Sequence, residues 1–164
     1  MPGSSSFTDE LLTLIPRLRR FAHALARDGA DADDLLQASV ERALVRQDQW
    51  QPGTRLDSWM YRIMRNLWID TARAAQRRGE TFVPPDAGEE VGAMGGQEAS
   101  VELHHVMRAM RTLPAEQREA VALVVVEGFA YKEAAEILDV PIGTLTSRLV
   151  RGREALMTRL GEAA

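Results

Sequence analysis

The sequence predicts an all-α protein made of two small helical modules joined by a flexible linker. Apolar residues recur at intervals of three and four along most of the 164-residue chain, which is the spacing of amphipathic helices. The alternating β-branched runs that are typical of strands are nearly absent. One segment, residues 79–100, lacks apolar periodicity and contains five glycines and two prolines, so we expect it to connect the modules.

The composition excludes several classes of function. The chain has no cysteine, which excludes disulfides and cysteine-ligated zinc. None of the three histidines has a carboxylate or second histidine at ligand spacing on one helical face; they are His23, His104 and His105. No phosphate loop or nucleophile motif is present, so we expect no metal, no cofactor and no enzyme. A polar N-terminus without a long apolar run predicts a cytoplasmic protein with no membrane insertion.

The charge distribution is more informative than the net charge of −4, which by itself argues against nucleic-acid binding. Residues 55–78 contain six arginines and two aspartates. Residues 144–160 contain four arginines and one glutamate, whereas residues 79–102 contain six acids and no base. Local charge decides where a polyanion can dock, so two separate segments remain candidates for binding nucleic acid.

The N-terminal module, residues 7–78, is predicted to begin with two helices. The first covers residues 7–26 and should be kinked, or divided in two, at Pro16. The second covers residues 31–47, with Asp31 as its N-cap. Three polar side chains lie on the exposed sides of this second helix; they are Asp34, Gln37 and Glu41. They form either an ordinary solvated face, which the spacing favours, or a docking face for a basic partner.

The third helix, residues 56–78, is predicted to start with Asp57 or Ser58 as its cap. It interleaves aromatic and polar groups, namely Trp59, Tyr61, Arg62, Arg65, Asn66 and Trp68. Aromatic rings beside arginines can stack unpaired bases while neutralising phosphates, as single-stranded nucleic acid requires. Equally, both tryptophans could be core residues and the arginines merely solubilising. This helix by itself does not decide between the two.

The C-terminal module, residues 101–161, is predicted to contain four helices, of which the last two form a helix-turn-helix. Residues 139–143 interrupt the helical pattern, because Pro141 fixes its own φ and disfavours a helical residue before it. Thr144 is the expected cap of the last helix. A leucine stripe then forms its inner face, and the opposite side carries short polar and guanidinium groups. Such a helix can enter the major groove, although an ordinary helical hairpin has the same pattern.

Taken together, the two modules and the linker resemble the extracytoplasmic-function sigma factors of bacterial RNA polymerase, from residue 11 to residue 160. The segment ADADDLLQASVERAL is similar to the polymerase-binding part of sigma region two, and LDSWMYRIMRNLWIDTAR to its strand-opening part. The segment LPAEQREAVALVVVEGFAYKEAAEILDVPIGTLTSRLVRGREAL is similar to sigma region four from end to end. The last of these matches is the most specific.

The resemblance implies a role for each group of residues. The face that grips the largest polymerase subunit would be formed by Asp34, Gln37 and Glu41. The minus-ten element would be captured and unstacked by Gln51, Thr54, Arg55, Trp59, Arg62, Arg65 and Asn66. The minus-35 element would be read in the major groove by Thr144, Thr146, Ser147, Val150 and Arg151, with Arg148 and Arg153 nearer the phosphates. Arg151 is the expected bidentate reader of a guanine.

Two positions depart from the family pattern. Ala130 stands where a Ser or Thr often caps the first helix of the motif, so that cap should be missing. Thr146 stands where a basic residue is common, which removes a base or phosphate contact and alters the expected minus-35 preference.

The resulting prediction is an alternative sigma factor whose partners are core RNA polymerase, promoter DNA and an anti-sigma factor. One rival is a sigma-like decoy that binds an anti-sigma protein and never touches DNA. Such decoys usually carry a fused receiver domain, and none is found in this sequence. A second rival, a simple helix-turn-helix repressor, would leave the aromatic and basic third helix unexplained.

Overall fold

The computed structural model describes residues 2–26, 28–79 and 97–162, and within these ranges all regular secondary structure is helical, as predicted. Seven helices follow in order: α1 (Pro2–Leu25), α2 (Gly29–Val45), α3 (Leu56–Arg77), α4 (Gln97–Arg111), α5 (Ala115–Val121), α6 (Tyr131–Leu138) and α7 (Ile142–Glu162). A 3-10 turn, Gln47–Gln49, follows α2, and a π-helical segment, Ala122–Val126, prolongs α5.

The linker predicted at residues 79–100 falls mostly outside the described residues, which resume at Gln97 with the first turn of α4. The division of the chain into residues 7–78, 79–100 and 101–161 therefore stays a prediction. The helices themselves fall into an N-terminal module, α1–α3, and a C-terminal module, α4–α7.

In the N-terminal module, α1 packs against α2 and α3 around side chains such as Leu18, Phe21 and Met64. The helix continues through Pro16, so the predicted division into two helices is wrong. Pro16 cannot donate to the carbonyl of Leu12, but both residues are exposed, and water can therefore satisfy that carbonyl.

Three predicted helix caps are wrong. The cap of α2 is Asp28, whose carboxylate accepts from the Asp31 N–H at 2.8 Å, so the helix begins earlier than the sequence suggested. Neither Asp57 nor Ser58 caps α3, because the helix starts at Leu56. Thr144 lies inside the first turn of α7, where its N–H donates to the Pro141 carbonyl at 3.0 Å. Each error places the cap two or three residues too late, because neighbouring polar side chains have similar capping propensity and the sequence alone does not select between them.

In the C-terminal module, α6, a tight turn and α7 form the predicted helix-turn-helix. Asp139 ends α6 in the left-handed conformation, with φ of 55°, and Pro141 precedes α7. The α7 helix crosses α5 closely at Gly152, where a Cβ would lie 2.7 Å from the Val121 Cγ2 atom. Only glycine permits this approach of the two helices.

The two modules also pack against each other. The α3 helix contacts α6, and α1 contacts both α4 and α5. Phe129, in the segment between the π-helical turn and α6, is buried against Tyr61 of α3, with ring centroids 4.9 Å apart. The hydrophobic core therefore runs from one module into the other.

Candidate nucleic-acid interface

The inner side of α7 is anchored by a leucine stripe, as predicted. Leu145, Leu149 and Leu156 are buried against the rest of the C-terminal module, while Leu160 is half-buried near the end of the helix. Because this stripe fixes the rotation of α7 about its axis, it also fixes which side chains face solvent.

The outer face of α7 is open to solvent at the residues expected to read bases. Ser147, Val150 and Arg151 are exposed, as is Arg153 two residues further along. A major groove admits a helix whose outer face carries short polar, methyl and guanidinium groups of this kind. The sequence and the structure therefore agree on one continuous surface.

Three further residues expected at the minus-35 element are half-buried: Thr144, Thr146 and Arg148. The Thr146 hydroxyl donates to the Ile142 carbonyl at 2.9 Å, so it is already engaged within its own helix. The Arg148 guanidinium lies 3.6 Å from the exposed carboxylate of Glu116 on α5. Because the Glu116 carboxylate is exposed, this pair contributes little to stability, so Arg148 can exchange Glu116 for a phosphate at small cost.

The start of α6 lacks a side-chain cap, as the sequence predicts. No side-chain cap is made by Ala130, but the Ala130 N–H donates to the Glu133 carboxylate at 3.2 Å, which is half of a capping box. Glu133 also forms an ion pair with Arg55 of the N-terminal module. One carboxylate thus serves both the helix start and the contact between modules.

The loop before α3 presents the first residues expected at the minus-ten element. Gln51, Thr54 and Arg55 are exposed, and the turn is closed by the Thr54 hydroxyl and N–H, both of which donate to the Gln51 carbonyl. Asn66 is exposed on α3, and Trp59 is half-buried. The Trp59 and Phe7 rings form a T-shaped contact with their centroids 6.1 Å apart. These groups lie on the loop and along the first turns of the helix.

The aromatic residues of α3 divide between core and surface. Trp68 is buried, which supports the core interpretation for that residue. Tyr61, which the sequence grouped with the aromatic and basic candidates for contact with nucleic acid, is fully buried. Its ring packs against Phe21 and Phe129, and these contacts with both modules explain its burial. Only Trp59 keeps part of its ring accessible for stacking on a base.

The arginines expected at the minus-ten element all contact the C-terminal module. Arg55 pairs with Glu133, and the Arg62 guanidinium donates to the Glu136 carbonyl. The Arg65 Nε atom lies 3.8 Å from the Glu119 carboxylate. Each of the three arginines therefore has an oxygen of the C-terminal module beside it, while Arg55 and Arg62 also remain exposed to solvent.

A buried carboxylate at the end of the π-helical turn was not predicted as a functional residue. The Arg20 guanidinium of α1 donates to both Glu127 carboxylate oxygens, at 3.0 and 2.7 Å, and the Tyr61 hydroxyl donates at 2.9 Å. The Glu127 side chain is completely buried. Its hydrogen bond raises the pKa of Arg20, and burial together with the Glu127 charge raises the pKa of Tyr61. No sequence pattern connects groups 107 residues apart.

Glu119 is the second buried carboxylate between the modules. Burial raises the pKa of Glu119, and the neighbouring charges of Arg65 and Arg118 only partly oppose this shift. Burial also lowers the pKa of Arg118. Desolvated charges are costly, so this part of the contact is less favourable than an apolar interface of the same area.

The residues expected to bind polymerase lie together on α2. Asp34, Gln37 and Glu41 are exposed, and the Gln37 amide donates to the Glu41 carboxylate at 3.1 Å. One turn further along, Val45 is 81% exposed. A single exposed valine is normal on a protein surface, so the docking role of this face stays a prediction.

Within residues 2–26, 28–79 and 97–162, no group of three or more histidines, aspartates and glutamates is placed to hold a metal ion. In the same part of the chain, no helix is long and apolar enough to cross a membrane.

Two protein-family models match separate parts of the chain. The family described as "Sigma-70, region 4" matches residues 103–156, and the family described as "Sigma2 domain of PhyR" matches residues 11–65. These ranges coincide with the C-terminal helices around α7 and with the segment from α1 into α3.

Individual proteins match over most of the chain. The ECF RNA polymerase sigma factor EcfG of Rhodopseudomonas palustris (strain TIE-1) is 37% identical over 160 residues, or 98% of this chain and 88% of that protein. The sigma factor RpoE of Bartonella quintana, solved with the anti-sigma factor NepR, superposes with a TM-score of 0.83 at 34% identity over 95% and 97% of the two chains. CnrH, solved with the cytosolic domain of CnrY, superposes with a TM-score of 0.72 at 22% identity over 98% of this chain and 91% of CnrH. At this identity the similarity is one of fold alone.

Proposed function

The chain belongs to the extracytoplasmic-function sigma factors of the sigma-70 family, and we propose that it directs core RNA polymerase to promoters, reads them with both modules and helps to melt them. Residues 7–78 would bind polymerase and the minus-ten element, residues 101–161 would bind the minus-35 element, and residues 79–100 would join them. The protein would act in the cytoplasm, where polymerase and chromosome meet. It would guide the chemistry of the polymerase and catalyse none itself.

The observation that carries this proposal is the open outer face of α7 above its buried leucine stripe. Arg151 can donate two hydrogen bonds to a guanine, while Ser147 and Val150 can contact neighbouring base edges, including a thymine methyl group. Arg148 and Arg153 would neutralise phosphates, which adds affinity that depends on salt but not on sequence. Binding by one helix in the major groove follows from this division of roles.

The minus-ten element would be held as a single strand by α3 and the loop before it. The half-buried ring of Trp59 offers a surface on which an unpaired base can stack. Arg55, Arg62 and Arg65 would exchange their present carboxylate and carbonyl partners for phosphates. Gln51, Thr54 and Asn66 are exposed donors and acceptors that can contact base edges.

The exposed polar face of α2 would bind the polymerase. Its carboxylates, Asp34 and Glu41, complement a basic partner, and the neighbouring Val45 adds apolar area. We further propose an anti-sigma factor as a regulatory partner, because the similar RpoE of Bartonella quintana was solved with one.

Run-off transcription with purified core polymerase tests this function on templates selected from a promoter library. Start sites should appear only when the protein is added, and Arg151→Ala and Trp59→Ala should abolish or shift them. Arg159→Ala, which removes an exposed arginine from the last turn of the same helix, should leave them unchanged. Trp59→Phe, which keeps a ring, should retain most of the activity.

A sigma-like decoy remains the second candidate, because all three minus-ten arginines are engaged by the C-terminal module. A decoy would capture an anti-sigma protein and support no transcription on any template. Transcription that depends on Arg151 would exclude it, whereas tight anti-sigma binding without transcription would replace the sigma factor with the decoy.

A further inference from the structure

One acid lies on the outer face of α7, among the residues that the proposed function assigns to the minus-35 element. Between residues 144 and 160 the sequence has four arginines and a single acid, Glu154. The phosphates of DNA repel a carboxylate, so an acid on a face that approaches DNA lowers the affinity unless it meets a hydrogen-bond donor there.

Glu154 projects directly away from the core of its module. The α7 helix runs without interruption from Ile142 to Glu162. At about 100° per residue, Glu154 lies about 180° around this helix from Leu145, which is fully buried. The same geometry puts Glu154 within about 20° of Ser147, two turns earlier, and both residues are exposed. Glu154 and Ser147 therefore share the outermost line of the helix.

The distances along α7 fit the spacing of base pairs. Each residue advances an α-helix by about 1.5 Å, so Glu154 lies about 10 Å beyond Ser147 and about 4.5 Å beyond Arg151. Successive base pairs are about 3.4 Å apart. A helix that lies along the major groove with Arg151 over one base pair would therefore carry Glu154 to the next one.

The Glu154 carboxylate makes no hydrogen bond or ion pair within residues 2–26, 28–79 and 97–162. Arg151 and Arg153 are close in sequence, but neither pairs with it. The Thr158 hydroxyl, one turn later, donates to the backbone carbonyl of Glu154 at 3.0 Å, so its proton is not available to the side chain. The carboxylate can therefore accept a hydrogen bond from DNA without giving up a partner in this part of the chain.

The chemistry of a carboxylate limits the bases that Glu154 can contact, because an ionised carboxylate only accepts hydrogen bonds. In the major groove the donors are the amino groups of cytosine and adenine. Adenine also presents the N7 acceptor beside its amino group, and this acceptor would repel the second carboxylate oxygen. Cytosine presents only the amino group in that groove. Cytosine is therefore the base that fits Glu154.

We propose that Glu154 is a specificity-determining residue that accepts a hydrogen bond from a cytosine amino group, at a base pair next to the one that Arg151 reads. This inference rests on the proposed function, since it requires α7 to lie in the major groove of the minus-35 element. At a base without a suitable donor, the carboxylate loses its hydration and gains no partner. Glu154 thus discriminates by excluding wrong sequences as well as by binding the right one.

Selection of duplexes with a randomised minus-35 element by the holoenzyme tests this role. With the wild-type protein, cytosine should be enriched at one position by about tenfold, as expected of one hydrogen bond to a charged group. Glu154→Gln should move the preference at that position to adenine, because the glutamine amide matches both N6 and N7. Glu154→Ala should remove the preference. Both variants should keep the guanine preference at the adjacent position that Arg151 reads.

Glu102→Gln is the matched control, because it removes the same charge from an exposed position on α4. It should leave every base preference unchanged. Thermal unfolding of the Glu154 variants should have the wild-type midpoint, since the carboxylate has no partner within the described residues. A change in base preference then reports on DNA recognition and not on the folding of α7.

The proposal is overturned if Glu154→Gln and Glu154→Ala tighten binding to every sequence by the same factor, because the acid would then act only by repelling phosphates. It is also overturned if both variants keep the wild-type preferences, or if no position beside the guanine distinguishes cytosine. In these cases a guanine preference that Arg151→Ala removes would leave the proposed function standing. If the wild-type holoenzyme selects no minus-35 sequence, the proposed function fails and the role of Glu154 fails with it.

Discussion

The outer face of α7 and the arginine face of α3 carry the same type of side chain, but they differ in what surrounds them. On α7, Ser147, Val150 and Arg151 face solvent. On α3, Arg62 and Arg65 contact the carbonyl of Glu136 and the carboxylate of Glu119. Both helices are amphipathic and rich in arginine, so their sequences would be interpreted in the same way. The difference arises because one helix lies at the outside of its module and the other lies between two modules.

The chain has a net charge of −4, yet both helices present exposed arginines, Arg62 on α3 and Arg151 on α7. On α3, Arg65 lies near the largely buried Glu119 carboxylate of α5, whereas on α7 the Arg148 guanidinium lies near the exposed Glu116 carboxylate.

The largest expected effects come from the buried leucines that hold each surface in place. Leu18→Ala in α1 and Leu145→Ala in α7 should each lower the free energy of unfolding by about 2–5 kcal/mol, because both side chains are fully buried and leave cavities. Urea unfolding followed by circular dichroism measures this loss. Leu12→Ala, at a side chain that is 63% exposed, is the control and should change stability by less than about 0.5 kcal/mol. A loss below 1 kcal/mol for Leu145→Ala would contradict the packing described for α7.

The proposed role of the outer face of α7 can be tested by separating base specificity from the contribution of charge to affinity. Arg151→Ala should reduce discrimination at one base pair of the minus-35 element by about tenfold to a hundredfold, which corresponds to about 1–3 kcal/mol. Arg153→Ala should instead weaken binding to all sequences similarly and lower the salt dependence by about one phosphate contact. Competition binding of the holoenzyme to single-base variants at several salt concentrations distinguishes the two. Equal weakening of every sequence by Arg151→Ala would rule out its role as a base reader.

The packing that supports the outer face of α7 depends on the close approach of α5 and α7 at Gly152. Gly152→Ala would place a Cβ 2.7 Å from Val121 Cγ2 and 3.1 Å from the Gln117 carbonyl oxygen. Displacement of the helix should lower the free energy of unfolding by about 1–2 kcal/mol, even after the gain in helix propensity that alanine brings. Gly161→Ala has no atom within 4 Å of the new Cβ and should be neutral or slightly stabilising. Thermal unfolding of both variants checks the contrast, and equal midpoints would show that α5 and α7 can move apart freely.

The smallest expected effect concerns Asp57, the acid that forms two hydrogen bonds with the exposed Arg55 guanidinium. Burial alone would raise the pKa of Asp57, but hydrogen bonds from Arg55 and from the Ser58 N–H outweigh it and lower the pKa. A lowered pKa stabilises the fold above the unfolded value of about 3.9, and this contribution is lost as the pH falls through the native pKa.

Asp57→Asn should therefore reduce stability at pH 7 by up to about 1 kcal/mol, and its stability should approach that of the wild-type protein in acid. Denaturant unfolding at a series of pH values measures the difference. Asp70→Asn removes an exposed carboxylate from the same helix and should cost less than about 0.5 kcal/mol at pH 7. If the difference in unfolding free energy between Asp57→Asn and the wild-type protein persists unchanged in acid, the role assigned to the Asp57 charge is contradicted.

Local patterns predicted most of the helices, but not every helix start. The leucine stripe of α7 and the break at Asp139 were recognisable, because apolar spacing and proline act over a few residues. The N-cap of α2 was predicted one turn too late, since Asp28 and Asp31 have equal propensity and only the folded backbone selects between them. The open minus-35 face was predictable because exposure on a surface helix follows directly from its periodicity.

The sequence by itself determined the helical class, the helix-turn-helix and the side of α7 that faces outward, because helix formation and amphipathic burial depend on spacing within a dozen residues. The tertiary structure decided that Tyr61 is buried, that Glu127 pairs with Arg20 and that Arg65 of α3 faces the Glu119 carboxylate of the other module. These contacts join residues 54 to 107 positions apart. Their geometry is set by how whole helices pack, and no local pattern in the chain encodes it.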